Sequence, residues 1–164
     1  MPMVNAPLPE PGPAQALVKV HTAALNFFDN LMIGGKYQVK PPFPFTPGCE
    51  IAGEVVAAGP DSDYQPGDRV VSQPDWGAFA EFCLVENHLT NPVPDAVPLE
   101  QAAAIPVVYP TAHIALQKRG QLQDGEFVLV SAAAGGVGLA AVQLARAWGG
   151  RLRWRVQLKS GRCA

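Results

Sequence analysis

The sequence predicts an α/β chain with an all-β first part and a helical second part. Three observations predict it. Short apolar runs separated by Pro and Gly turns fill roughly residues 15–92. Ala-rich helical segments follow. An apolar strand, a glycine-rich turn and an amphipathic helix then come in succession. Proline divides the chain in the same way, because all 17 prolines lie at or before Pro110.

Each element follows from its residues. The opening MPMVNAPLPEPGPAQ is Pro-rich and reads as an extended lead-in. Ala16 to Thr22 alternates and reads as a strand. Leu25, Phe28, Leu31 and Met32 fit a short helix, ended at Gly34–Gly35. KPPFPFTPG excludes regular structure, since proline removes backbone donors and restricts each preceding residue. CEIAGEVVAAG is a strand in which Gly53 marks a bulge or a close backbone approach. A turn at Pro66–Gly67 precedes another strand, and WGAFAEFCLVE is a further one. LEQAAAIPVV and PTAHIALQKRG are helical, broken near Pro106–Pro110. Phe127–Val130 is a buried strand, and a helix runs from about Val137 to Trp148.

Composition removes several classes. With 164 residues, 48% hydrophobic and 16% charged, the chain is neither collagen nor a disulfide scaffold nor wholly disordered. No apolar run approaches the length of a bilayer-spanning helix, and no signal peptide opens the chain. The three cysteines, Cys49, Cys83 and Cys163, form no CxxC pair, which fits reduced thiols in a cytoplasmic protein. Cys83 reads as a small buried hydrophobe. His21, His88 and His113 have no mutual spacing that marks a site. The net charge of −2 hides an asymmetry: residues 1–150 carry −7 and residues 151–164 carry +5.

The strand–turn–helix unit carries the chemistry. In AAAGGVG, the small Ala132 and the glycines Gly135, Gly136 and Gly138 let the backbone turn tightly and let a pyrophosphate approach. The free N–H groups at the start of the helix, around Val137, would hold the phosphates. A tight turn without a ligand is the competing reading.

These residues resemble the medium-chain dehydrogenase/reductases, nearest their zinc-independent, zeta-crystallin-like quinone oxidoreductases. The blocks LNFFDNLMIGGKY, KPPFPFTPGCEIAGEVVAAG, PGDRV, GAFAEF, PTAHIAL and AAAGGVGLAAVQLARAWGG occur in the family's order, over roughly Pro9 to Gly150. The resemblance implies a GroES-like β-barrel domain at 1–110, short of its first strands. It implies the first β–α unit of a truncated Rossmann domain at 111–150, with NADPH as cofactor. Zinc-dependent relatives place a Cys where Asn26 stands before Asp29, a His–Glu pair where Cys49–Glu50 stands, and a Cys where Val107 stands. The four-Cys structural lobe is absent as well, so no metal is expected. Cys49 reads as a packed strand residue.

By the same resemblance, Asn26 and Tyr37 border the substrate cleft and hold a quinone or enone oxygen, while Thr111 lies near the nicotinamide amide. The plainer readings stay open. Asn26 caps the helix at Phe27, Tyr37 packs on the Phe43–Phe45 segment, and Asp29 holds local backbone. Full-length relatives are expected to be homo-oligomers; no nucleic-acid or membrane partner is expected.

The tail RLRWRVQLKSGRCA departs from the family, which continues with a buried strand. A shifted reading frame near the Gly149–Gly150 codons accounts for residues 151–164, and the nucleotide sequence there tests it. A functional basic tail is the rival. The expectation is an NADPH-dependent quinone or enone oxidoreductase, present as an impaired fragment. A non-catalytic barrel fragment and an enoyl-thioester reductase unit are the alternatives.

Overall fold

In the computed structural model, residues 3–154 are described. The first unit, Met1–Pro106, is built on strands. They are β1 (Gln15–Ala23), β2 (Ile51–Ala58), β3 (Arg69–Ser72), β4 (Phe82–Glu86) and β5 (Thr90–Pro92). Helix α1 (Phe27–Ile33) lies between β1 and β2, and the short α2 (Leu99–Ala102) follows β5. The five strands pair antiparallel in the order β4-β1-β2-β3-β5 and curl into a half-barrel.

Burial alternates along β4, whereas β1, β2 and β3 each carry consecutive buried residues and are covered on both faces. Ala16, Val18, Ile51, Val55, Val70 and Val85 form the main core. Ala52, Val71, Val93, Ala102 and Ala103 form a second cluster under α2. Burying such β-branched side chains stabilises the sheet by about 1.5–3 kcal/mol each. The close approach expected at Gly53 is present. A Cβ there would lie 2.2 Å from the Lys19 carbonyl oxygen, and the β1–β2 register slips beside it, between Val20 and Thr22.

The second unit, Val107–Ala164, holds α3 (Val108–His113), a π-helical segment Ile114–Arg119, β6 (Phe127–Val130), α4 (Gly136–Ala147) and β7 (Arg151–Trp154). The break expected near Pro106–Pro110 falls at residues 103–107, between α2 and α3, so it includes Pro106, while Pro110 itself lies within α3. Pro110 lies in the first turn of α3, whose N–H groups have no intrahelical acceptor to lose.

A second correction concerns the tail. It lacks the apolar run of a buried strand, yet Arg151–Trp154 forms a strand that pairs in parallel with β6, Phe127 opposite Arg151 through Val130 opposite Trp154. Parallel pairing uses backbone groups, which arginine supplies as well as valine does. The Arg151 and Arg153 guanidinium groups lie 5.7 and 6.0 Å from the Phe127 ring, with their residues exposed, so their charges stay in water. Residues 155–164, the rest of the expected basic tail, lie outside the described residues. The face of β6 that carries Phe127 and Leu129 is open, at 66% and 74% exposure. Among the described residues no helix is long and apolar enough to cross a membrane.

Candidate functional site

The first candidate centre is built where β1 turns into α1. Asn26 is the N-cap of α1. Its backbone N–H donates to Asp29 Oδ2 at 2.6 Å, and the Asp29 N–H donates to the Asn26 carbonyl at 3.1 Å. An acidic residue in the first turn also complements the positive end of the helix. These two bonds use the Asn26 backbone, and its side-chain amide turns to another partner. Its Nδ2 donates to Glu50 Oε2 at 2.8 Å. Asp29 accepts a second bond at Oδ1 from the Cys49 thiol, at 3.1 Å. Asp29, Cys49 and Glu50 are all buried.

This wiring explains the thiol. Burial pushes the Cys49 pKa well up, and the hydrogen bond and negative charge of Asp29, then the charges of Glu50 and Asp75, push it further. Burial alone raises Cys83 to about 12. Both thiols stay protonated at neutral pH and are poor nucleophiles. Among the described residues no group of three or more His, Cys, Asp or Glu stands where it could hold a metal ion.

Tyr37 stacks on Phe28, a residue of α1, with ring centroids 5.4 Å apart and planes at 21°. Its stacking partner is therefore not the Phe43–Phe45 segment suggested by the sequence. Those two phenylalanines meet each other edge-on at 5.3 Å. Tyr37 and Asn26 are thus both anchored to α1, one on its face and one at its start. Both side chains are half-buried.

The second candidate centre is the turn 131–135 between β6 and α4. Gly135 caps α4 and donates its N–H to the Ala132 carbonyl at 3.0 Å. The helix begins at Gly136, so the N–H groups of Gly136, Val137 and Gly138 have no acceptor within it. Ala132, Gly135, Gly136 and Val137 are exposed, and this combination is suited to an anion such as a phosphate. Gly138 does different work. A Cβ there would stand 2.0 Å from the Ala132 carbonyl oxygen, so it is the glycine that lets α4 close onto the turn. At Gly136 a Cβ would meet only the Val108 side chain, at 3.1 Å. Thr111 is exposed on α3, and its hydroxyl donates to the Val107 carbonyl at 2.6 Å.

Sequence reasoning missed the part played by Glu50, which it noted only as occupying a position beside Cys49. The available signal was polarity. An acid between Cys49 and Ile51, entering a core strand, needs a buried donor, and Asn26 is one. The bond from the Tyr109 hydroxyl to Gln143, joining α3 to α4, was missed as well.

Residues 12–95 match the model of the alcohol dehydrogenase GroES-like domain. The chain belongs to this family. Over 135 residues the chain is 45% identical to the quinone oxidoreductase-like protein 2 of Rattus norvegicus, covering 82% of this chain and 39% of the relative. The quinone oxidoreductase of Thermus thermophilus, whose structure is known also in complex with NADPH, superposes with a TM-score of 0.83 at 38% identity, over 95% of this chain and 49% of that one. The CurK enoyl reductase superposes at 0.80 with 30% identity, over 94% and 48%. The GroES-like chain thus groups with quinone oxidoreductases of the medium-chain dehydrogenase/reductases. It spans about 39% of the rat relative's length.

Proposed function

We propose that the chain is part of an NADPH-dependent oxidoreductase, independent of zinc, that reduces quinones or enones. The observation that carries the reading is the closed turn at Ala132–Gly138, with its exposed helix N-terminus, following a GroES-like domain. Bound there, NADPH would supply the hydride. Ala132, Gly135, Gly136, Val137 and Gly138 would hold its phosphates through backbone N–H groups, and Thr111 would meet its nicotinamide end.

In the first unit, Asn26 and Tyr37 would donate hydrogen bonds to the substrate oxygen as negative charge builds on it. Cys49, protonated and bonded to Asp29, is a poor nucleophile and would not attack the substrate. The second reading, reduction of an enoyl thioester, is favoured by the likeness to the CurK enoyl reductase. It needs the same hydride and the same donors to a carbonyl. In either reading the 164-residue chain turns over poorly, because β6 has one sheet neighbour among the described residues and its Phe127 face is open. A cytoplasmic location and a homo-oligomeric full-length form belong to the same proposal.

The substrate reading is tested with duroquinone, a fully methylated quinone that thiols attack slowly. Titration into the labelled chain is expected to shift the resonances of Asn26 and Tyr37. Asn26→Ser keeps the helix cap but removes the amide, and it is expected to weaken binding by about threefold to tenfold, the worth of one hydrogen bond. Shifts confined to residues remote from α1 would overturn the reading.

A further inference from the structure

We propose that Glu50 is a positioning residue that fixes the Asn26 carboxamide and makes it a hydrogen-bond donor toward the ligand. An amide side chain has an accepting end and a donating end of nearly the same shape. Left to itself at a cleft, asparagine offers either, and a site built on it does not distinguish a carbonyl from a hydroxyl. A carboxylate only accepts. Placed 2.8 Å from Asn26 Nδ2, Glu50 Oε2 admits the nitrogen and repels the oxygen. Glu50 is 2% exposed, so water neither competes for this bond nor screens the repulsion that opposes a flip.

The neighbouring groups complete the selection. The backbone N–H of Asn26 is spent on Asp29 Oδ2, and the other Asp29 oxygen accepts from the Cys49 thiol. The amide itself goes to Glu50, while the Asp29 bond to the backbone holds Asn26 at the start of α1. One Nδ2 hydrogen goes to Glu50, and the second remains on the same nitrogen for a ligand. The ligand class that this arrangement takes is one with an accepting oxygen, a quinone, enone or thioester carbonyl, in preference to an alcohol hydroxyl acting as donor. Only the identity of that acceptor rests on the function proposed above. The orientation of Asn26 stands on the geometry alone.

The test separates the two. Side-chain amide resonances of Asn26, assigned by their loss in Asn26→Ser, are recorded on the full chain without ligand. One of the two Nδ2 protons is expected downfield of its partner and slow to exchange. Glu50→Gln, which retains shape and one acceptor, is expected to move that proton upfield, and Glu50→Ala to return it to the position of a solvated asparagine. The backbone amides of Phe27–Ile33 are expected to stay in place in Glu50→Gln, which a general loss of structure would not allow. If Glu50→Ala fails to fold, Glu50→Gln decides. An Asn26 amide that looks solvated in the unaltered chain, or that is unmoved by Glu50→Gln, overturns the proposal. Duroquinone is then added. A shift of the second Nδ2 proton supports the donor role, whereas duroquinone leaving it unmoved overturns the substrate reading and leaves the Glu50–Asn26 result standing.

Discussion

Gly53→Ala is expected to unfold the first unit or bring it close to unfolding. The new methyl would stand 2.2 Å from the Lys19 carbonyl oxygen and 2.8 Å from Val18 Cγ1. Backbone cannot rotate away as a side chain can, so β1 must separate from β2, its neighbour over most of its length. Overpacking of a tight core ordinarily costs about 1–3 kcal/mol, and this contact is against main chain, so about 3 kcal/mol or more is expected. Against a typical total of about 5–15 kcal/mol, that is a large share. Hydrogen exchange at Val18 and Val55 reads it directly. Protection is expected to collapse in Gly53→Ala and to persist in the control Glu54→Ala, whose side chain is exposed. Unchanged protection in Gly53→Ala would contradict the β1–β2 packing.

Gly138→Ala gives the second large effect, and its sign separates two principles. Within a helix, alanine is better than glycine by about 1 kcal/mol, so propensity alone predicts stabilisation. The geometry predicts the reverse. The added Cβ would lie 2.0 Å from the Ala132 carbonyl oxygen and 2.9 Å from Ala133 Cα. The contact is again against main chain, at about 3 kcal/mol, so the expected outcome is a loss of about 2 kcal/mol in the second unit after the propensity gain is subtracted. Gly136→Ala meets only the Val108 side chain, which can move, and is expected to stay within about 1 kcal/mol of the unaltered chain. Urea unfolding followed through the amide resonances of α4 ranks the two. Equal stability for both variants would contradict the closed turn.

Much of the fold was legible because its causes are local. Apolar alternation located β1, an apolar-rich run located β4, and turn residues separated the strands. The glycine in CEIAGEVV announced the close approach that the structure contains at Gly53. The strand Phe127–Val130 has the bounds expected from its apolar run, and the helix after the turn begins at Gly136, one residue before Val137. What failed has equally specific causes. The break was legible at Pro106 but extended too far, to Pro110, because position within a first turn is invisible until the helix start is known. Arg151–Trp154 lacks the apolar run that marks a buried strand. Its partner strand supplies the pairing instead, and Phe127 receives the arginines. Tyr37 stacks on Phe28 because chain direction after Gly34–Gly35 decides which ring it meets, and composition does not encode that direction. The wiring of the first centre was the least legible. Asn26 and Asp29 come from one segment, Cys49 and Glu50 from another twenty or more residues on, and only pairing of β1 with β2 brings them together.

The most direct measurement of the central claim is an NADPH titration of the labelled 164-residue chain, followed by backbone amide resonances. The turn has the right shape for a phosphate. Among the described residues, the two-stranded sheet beside it offers no crevice between diverging strands to enclose the rest of the cofactor. A helix N-terminus and a few charge-assisted backbone bonds are worth only a few kcal/mol. The predicted result is weak binding, with Kd on the order of 1 mM, shifts confined to the stretch Ala132–Gly138 and the α4 amides next to it, and their loss in Gly138→Ala. Micromolar binding, or shifts that leave Ala132–Gly138 untouched, would contradict it.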